Sequence, residues 1–152
     1  MPLRRSFACA FSGILAGIRS ERNLRLHILA ASVVLVAELI VRPSLIQAGV
    51  LLLCMALVLA AELMNTAVEC ICDRIAEGAF HPLVRMAKDC AAGAVLILAV
   101  ASVAVAVLMA VNLYPWHWRL FSHQFAAAAV LNAVVLVALW TTAALAWLRK
   151  ED

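Results

Sequence analysis

The chain has 152 residues, of which 67% are hydrophobic, 14% charged and 7% aromatic, with mean hydropathy +1.05 and a formal net charge of +3. Soluble domains are about half apolar and about a quarter charged, so this composition excludes disorder, a secreted disulfide scaffold and most soluble enzymes. The small net charge excludes a nucleic-acid binder and leaves an integral membrane protein of one compact domain.

The first apolar stretch, Phe7 to Ile18, is too short to span a bilayer. Phe7, Phe11, Ile14, Leu15 and Ile18 recur at helical spacing, with Arg5, Ser12 and Arg19 on the other side. That pattern predicts an amphipathic helix lying on the membrane surface, with a signal segment after Arg4 and Arg5 as the alternative. Spans are then expected from about His27 to Val41, lengthened by the turn before His27, and from Leu45 to Leu63, with the helix continuing to about Ala76. A third is expected from about Ala91 to Val111 and a fourth from about Phe125 to Leu148.

Arg4, Arg5, Arg19, Arg22 and Arg25 precede the first span, Arg74, Arg85 and Lys88 separate the second from the third, and Arg149 and Lys150 follow the fourth. The opposite connections hold only Arg42 and Arg119, the latter beside Tyr114, Trp116 and Trp118. The positive-inside rule therefore puts both termini in the cytoplasm, and the aromatic loop outside. His117 and His123 belong to that loop and read as interfacial. Glu38, four residues before Arg42, reads as one half of an i,i+4 ion pair. Cys9, Cys54, Cys70, Cys72 and Cys90 are odd in number and read as reduced packing residues. Cys70 and Cys72, two apart on a helix, cannot share one metal ion.

The chemistry gathers at the end of the second span. Glu62, Asn65, Thr66, Glu69 and Asp73 fall within an arc of roughly 100° along about 16 Å of helix. If the span begins near Leu45, this stripe starts at the inner edge of the hydrocarbon and projects into the cytosol, where a lipid headgroup meets a water-soluble reactant. Ionisable groups at membrane depth are costly and usually functional, although the stripe could also be satisfied by packing against other helices. Three carboxylates on one face repel one another unless a cation intervenes, and oxygen-only ligands favour magnesium over zinc. Lys88-Asp89 opens the third span on the same side, where a lysine suits phosphate oxygens or simply caps the helix. Glu21 lies among Arg19, Arg22 and Arg25, as a further acidic ligand or an interfacial salt-bridge partner. The chain has no GxxxxGK[ST], GxGxxG, HExxH or GxSxG motif, so any nucleotide site is built differently from the common folds.

Two motifs, Glu62-x-x-Asn65-Thr66-Ala67-x-Glu69-x-x-x-Asp73-Arg74 and Ala87-Lys88-Asp89-x-Ala91-Ala92, resemble the small bacterial membrane lipid kinases comprising diacylglycerol kinase and undecaprenol kinase. Ser6-Phe7-x-x-Ala10-x-x-Gly13 and Glu21-Arg22-Asn23 support the resemblance, which covers roughly residues 3–112. It implies an all-α integral membrane protein with a surface helix and three transmembrane helices, to which this chain adds a fourth. It also implies transfer of the γ-phosphoryl group of ATP to a membrane lipid alcohol by a homotrimer in the bacterial inner membrane.

By position, Glu62 resembles the general base, and Glu21 and Glu69 resemble the magnesium ligands that hold ATP. Asn65 and Asp73 resemble supporting residues, Lys88 and Asp89 nucleotide contacts, and Phe80 and His81 residues lining the nucleotide. The Asn23-x-x-x-His27 spacing looks more like the undecaprenol kinase branch. On this reading residues 1–112 form the kinase-like unit, while 113–152 add the aromatic loop, the fourth span and a short tail. The competing class is a small transporter or channel subunit that uses the carboxylates for ions. Such a path would distribute ionisable groups through the bilayer, whereas these cluster at one end.

Overall fold

The computed structural model describes residues 3–76, 81–117 and 126–148. These form five helices: α1 (Leu3–Ser20), α2 (Arg22–Val41), α3 (Leu45–Ala76), α4 (Pro82–Asn112) and α5 (Ala126–Leu148). The last four are long and apolar enough to cross a membrane, so the chain is an all-α integral membrane protein with a helix ahead of four spans. At 1.5 Å per residue α3 and α4 are each roughly 45–50 Å long, well beyond a hydrocarbon core of about 30 Å. Their ends therefore project from the membrane.

The junctions have local causes. Glu21 is extended (φ −99°, ψ 119°) and separates α1 from α2, while its N–H donates to the Gly17 carbonyl at 2.9 Å. Nη1 of Arg25 reaches back to the Ile18 and Arg19 carbonyls, each at 2.9 Å, and satisfies the open end of α1. Gly17 faces α3 closely: a Cβ there would lie 2.6 Å from the end of the Leu63 side chain, which would have to shift.

At the other end of α2, Arg42 adopts the left-handed conformation (φ 57°), and its N–H closes on the Glu38 carbonyl. Pro43 then prevents the helix from continuing. Ser44 and Gln47 form a reciprocal cap: the Ser44 N–H donates to Gln47 Oε1 at 2.9 Å and the Gln47 N–H to Ser44 Oγ at 3.4 Å. Gln47 Nε2 also donates to Asn112 Oδ1 at 3.2 Å, which fixes the start of α3 beside the end of α4.

α3 and α4 pack as an antiparallel hairpin, with the Ser102 hydroxyl donating to the Leu98 carbonyl at 2.7 Å and reaching the Cys54 carbonyl at 3.4 Å. α5 packs on α2 and α1. Leu15, Ile18, Leu24, Ile28 and Ala146 form a buried cluster against which Leu59 and Leu63 rest, so four helices meet where α1 turns into α2. α4 is different, since Val95 is its one buried residue and Leu96, Ile97, Val100, Val103, Val107 and Leu108 stand exposed.

The surface helix is longer than expected at both ends and the third span starts nine residues earlier, because Pro82 at the helix start and the polar first turns extend α4 beyond its apolar core. Glu38 finds a partner the sequence did not suggest: Asn132 Nδ2 of α5 donates to its carboxylate inside the bundle. Arg42 Nε meanwhile donates to the Leu39 carbonyl at 3.2 Å. Trp116 Nε1 donates to the Ala110 carbonyl at 2.7 Å, and its ring meets Tyr114 edge to face.

Candidate functional site

The polar stripe of α3 begins inside the bundle and ends in the open. Glu62 is 3% exposed and Asn65 8%, Glu69 is half-buried, and Asp73 is exposed. Glu62 sits three residues before Asn65 and seven before Glu69, so the i,i+3,i+4 geometry of one helix face aligns all of them. The Thr66 hydroxyl donates back to the Glu62 carbonyl at 3.0 Å and so is spent on the helix itself.

Glu62 Oε1 lies 3.1 Å from Nε2 of His27 on α2. Glu62 and Glu69 lie seven residues apart on one face of α3, and Glu21 stands at the α1–α2 junction. Asn65 Nδ2 donates to Glu69 Oε1 at 2.8 Å and orients it, while Asn65 Oδ1 is buried without a hydrogen-bond partner. Lys88 Nζ of α4 pairs with Asp73, and its charge is also felt by Glu69. Polar groups thus follow one another along this face of α3, from the buried Glu62 to the exposed Asp73 and its half-buried partner Lys88.

Beside this run, α2, α3 and α4 enclose an apolar groove of about 260 Å³ with His27 among its walls, together with Val58, Leu59, Ala99, Ser102 and Val103. The groove descends along the spans from the level of His27. His27, at one end of this largely apolar lining, links it to Glu62.

The structure aligns Glu62, Asn65, Glu69 and Asp73 on one face of α3 and pairs Lys88 with Asp73, while Glu21 stands at the α1–α2 junction with no hydrogen bond between its side chain and theirs. It turns Asp89 toward Arg85 at 3.7 Å, four residues back on the same helix and exposed. His81 is the exposed residue at the N-cap of α4, and Phe80 lies outside the described residues. His27 is the functional candidate that the reading of roles left out. Its signal was its place in the Asn23-x-x-x-His27 pattern, but only the packing of α2 on α3 shows that it reaches Glu62.

Among the described residues no three His, Cys, Asp or Glu side chains converge as a metal-binding group. Glu21 and Glu69 supply two hard oxygen donors, the second oriented by an amide whose own oxygen lacks a partner. That set fits an ion which draws most of its coordination from phosphates and water, as magnesium does, and not a closed zinc site.

Comparison with known proteins places this geometry. The model of the family described as prokaryotic diacylglycerol kinase matches residues 8–110. The chain is 39% identical over 100 residues to a diacylglycerol kinase of Synechocystis sp., covering 66% of this chain and 57% of that protein. It is also 39% identical over 105 residues to an undecaprenol kinase of Bacillus subtilis, covering 69% and 85%. The match thus spans little more than half the length of the Synechocystis protein. No solved structure gives a match. The family match ends before α5 begins and contains every residue of the polar run.

Proposed function

The chain belongs to the prokaryotic diacylglycerol kinase family, and on that premise we propose that it transfers the γ-phosphoryl group of ATP to a membrane lipid alcohol, diacylglycerol or undecaprenol. The observation that carries this reading is the buried Glu62 carboxylate, 3.1 Å from His27, which lines an apolar groove of about 260 Å³, on a helix face whose polar groups extend to Asp73 and its partner Lys88.

Phosphoryl transfer demands positioning and charge neutralisation more than covalent chemistry from the protein. The groove orients the lipid with its hydroxyl at Glu62. Glu62 takes the hydroxyl proton as the lipid oxygen bonds to the γ-phosphorus, and the bond from that phosphorus to the bridging oxygen of ADP breaks. His27 holds Glu62 in place. Glu21 and Glu69 would hold magnesium, which supplies neutralisation of the phosphate charge when bound. Lys88 offers a point charge to phosphate oxygens, while Asp73 and Asn65 steady Lys88 and Glu69. Asp89, His81 and Phe80 are assigned to the nucleotide side by family resemblance alone.

Residues 1–112 form the kinase unit, and 113–152 add a span to it. The positive-inside count supports a multi-pass protein of the bacterial inner membrane with both termini cytoplasmic. An oligomer, a trimer by resemblance, completes the proposal. The test is transfer of label from γ-labelled ATP, with magnesium, to diacylglycerol and undecaprenol in separate mixed micelles, with Glu69→Ala as control. Labelled lipid from one alcohol, lost in the control, is expected and identifies the acceptor. No product from either in a folded, oligomeric preparation would overturn the assignment.

A further inference from the structure

A second groove lies on the other face of α2. It measures about 760 Å³ and is walled by α1, α2 and α5, within the range typical of sites that hold a small ligand. Its lower walls are apolar, including Ile28, Leu29, Trp140 and Trp147, and two arginines, Arg19 and Arg25, stand at one end. Among the described residues no carboxylate lines it.

Both guanidinium groups are fixed by backbone carbonyls. Arg19 Nε donates to the Ala146 carbonyl of α5 at 2.8 Å, and its other four N–H groups have no partner among the described residues. Arg25 commits Nη1 to the Ile18 and Arg19 carbonyls, leaving Nε and Nη2 uncommitted. Two oriented guanidinium forks on one groove, with no acid among the described residues that line it, match the oxygens of a phosphate. They lie where α1 meets the first turn of α2, at the level where a headgroup meets the acyl region. Tryptophan rings at such a level are at home against lipid.

We infer that this groove binds an anionic phospholipid, its phosphate held by Arg19 and Arg25 and an acyl chain lying along Leu29, Trp140 and Trp147. Basic pockets between membrane helices recognise anionic headgroups in this way. The groove is separate from the phosphoryl-transfer site, since α2 directs His27 to one side and Arg25, Ile28 and Leu29 to the other. It also depends on α5, which lies beyond the family match. The inference needs the membrane reading but not the kinase reading.

The experiment uses the full chain with Trp147 as sole tryptophan (Trp116→Phe, Trp118→Phe, Trp140→Phe), reconstituted in phosphatidylcholine vesicles. Graded amounts of phosphatidylglycerol or phosphatidylcholine brominated in the acyl chains are added, and quenching gives the relative affinity at Trp147. The expected preference for the anionic lipid is about fivefold or more. Arg19→Gln with Arg25→Gln brings it close to one, and Arg19→Gln alone, which loses only the Ala146 contact, lowers it at least twofold. Arg4→Gln with Arg5→Gln, which removes two exposed positive charges elsewhere on α1, leaves it unchanged. Equal quenching by the two lipids would overturn the site, as would a preference that survives Arg19→Gln. Absence of quenching by either lipid would mean that a second copy of the chain closes the groove, and would overturn it too.

Discussion

Glu38 and Glu62 are both glutamates on membrane-spanning helices and both are buried, at 5% and 3% exposure. Their surroundings separate them. Glu38 meets a neutral amide from α5, and its second oxygen is sealed in the bundle without a partner. Glu62 meets an imidazole, and the polar face of α3 continues from it through Asn65 and Glu69 to Asp73 and Lys88. Burial alone therefore does not distinguish the two glutamates. What sets apart the proposed base is its polar surroundings and the groove lined by its partner His27.

That contrast can be broken by substitution. The largest effect is expected at Glu62. Glu62→Gln keeps the shape and removes the base, so kcat should fall by about 10²–10⁴, as for other lost general bases. Labelled-phosphate transfer measures this, and Glu38→Gln in the same assay should stay within about twofold of the parent.

Asn65→Leu comes next. It frees Glu69 from the Asn65 bond that orients it, and loss of such an outer partner lowers metal affinity by about 10–100-fold. A magnesium titration of activity should shift by that amount, with kcat recovered at saturation. His27→Phe leaves Glu62 buried without its partner. Its kcat should fall about tenfold at unchanged KM for ATP, and His27→Gln, which retains a donor, should recover most of the loss.

The smallest effect on catalysis belongs to the other side of α2. Asn132→Leu removes the α5 contact to Glu38 and should destabilise the bundle by about 1 kcal/mol, read by unfolding in detergent, with kcat unchanged. A large loss of activity there would erase the distinction between the two glutamates.

Much of this was legible in the residues. The apolar runs and the break at Arg42-Pro43 gave the spans, except that α4 begins at Pro82, ahead of its apolar run, and the spacing from Glu62 to Asp73 gave the stripe, because helical period and residue chemistry are local properties. Lateral packing is not local. Lipid tails are as apolar as leucine, so hydropathy says little about which span lies beside which. Hence neither the His27 contact to Glu62 nor the seat of α5 on α1 and α2 could be read in advance. Asn132 alone carried a usable signal, as an amide within an apolar span that needs a polar partner. The sequence left Asp89 with Lys88 as one cluster, whereas in space Lys88 turns to Asp73 and Asp89 to Arg85, since neighbours on a helix face different directions.

The central claim is that Glu62 acts on the lipid hydroxyl and not on the nucleotide. The most direct measurement is the ATP affinity of the Glu62→Gln protein in magnesium, by calorimetry on the reconstituted oligomer, with the transfer rate read on the same sample. An affinity within about twofold of the parent and transfer lowered by at least about 10² is the predicted pair. Transfer near the parental rate, or ATP affinity lost together with turnover, would contradict it.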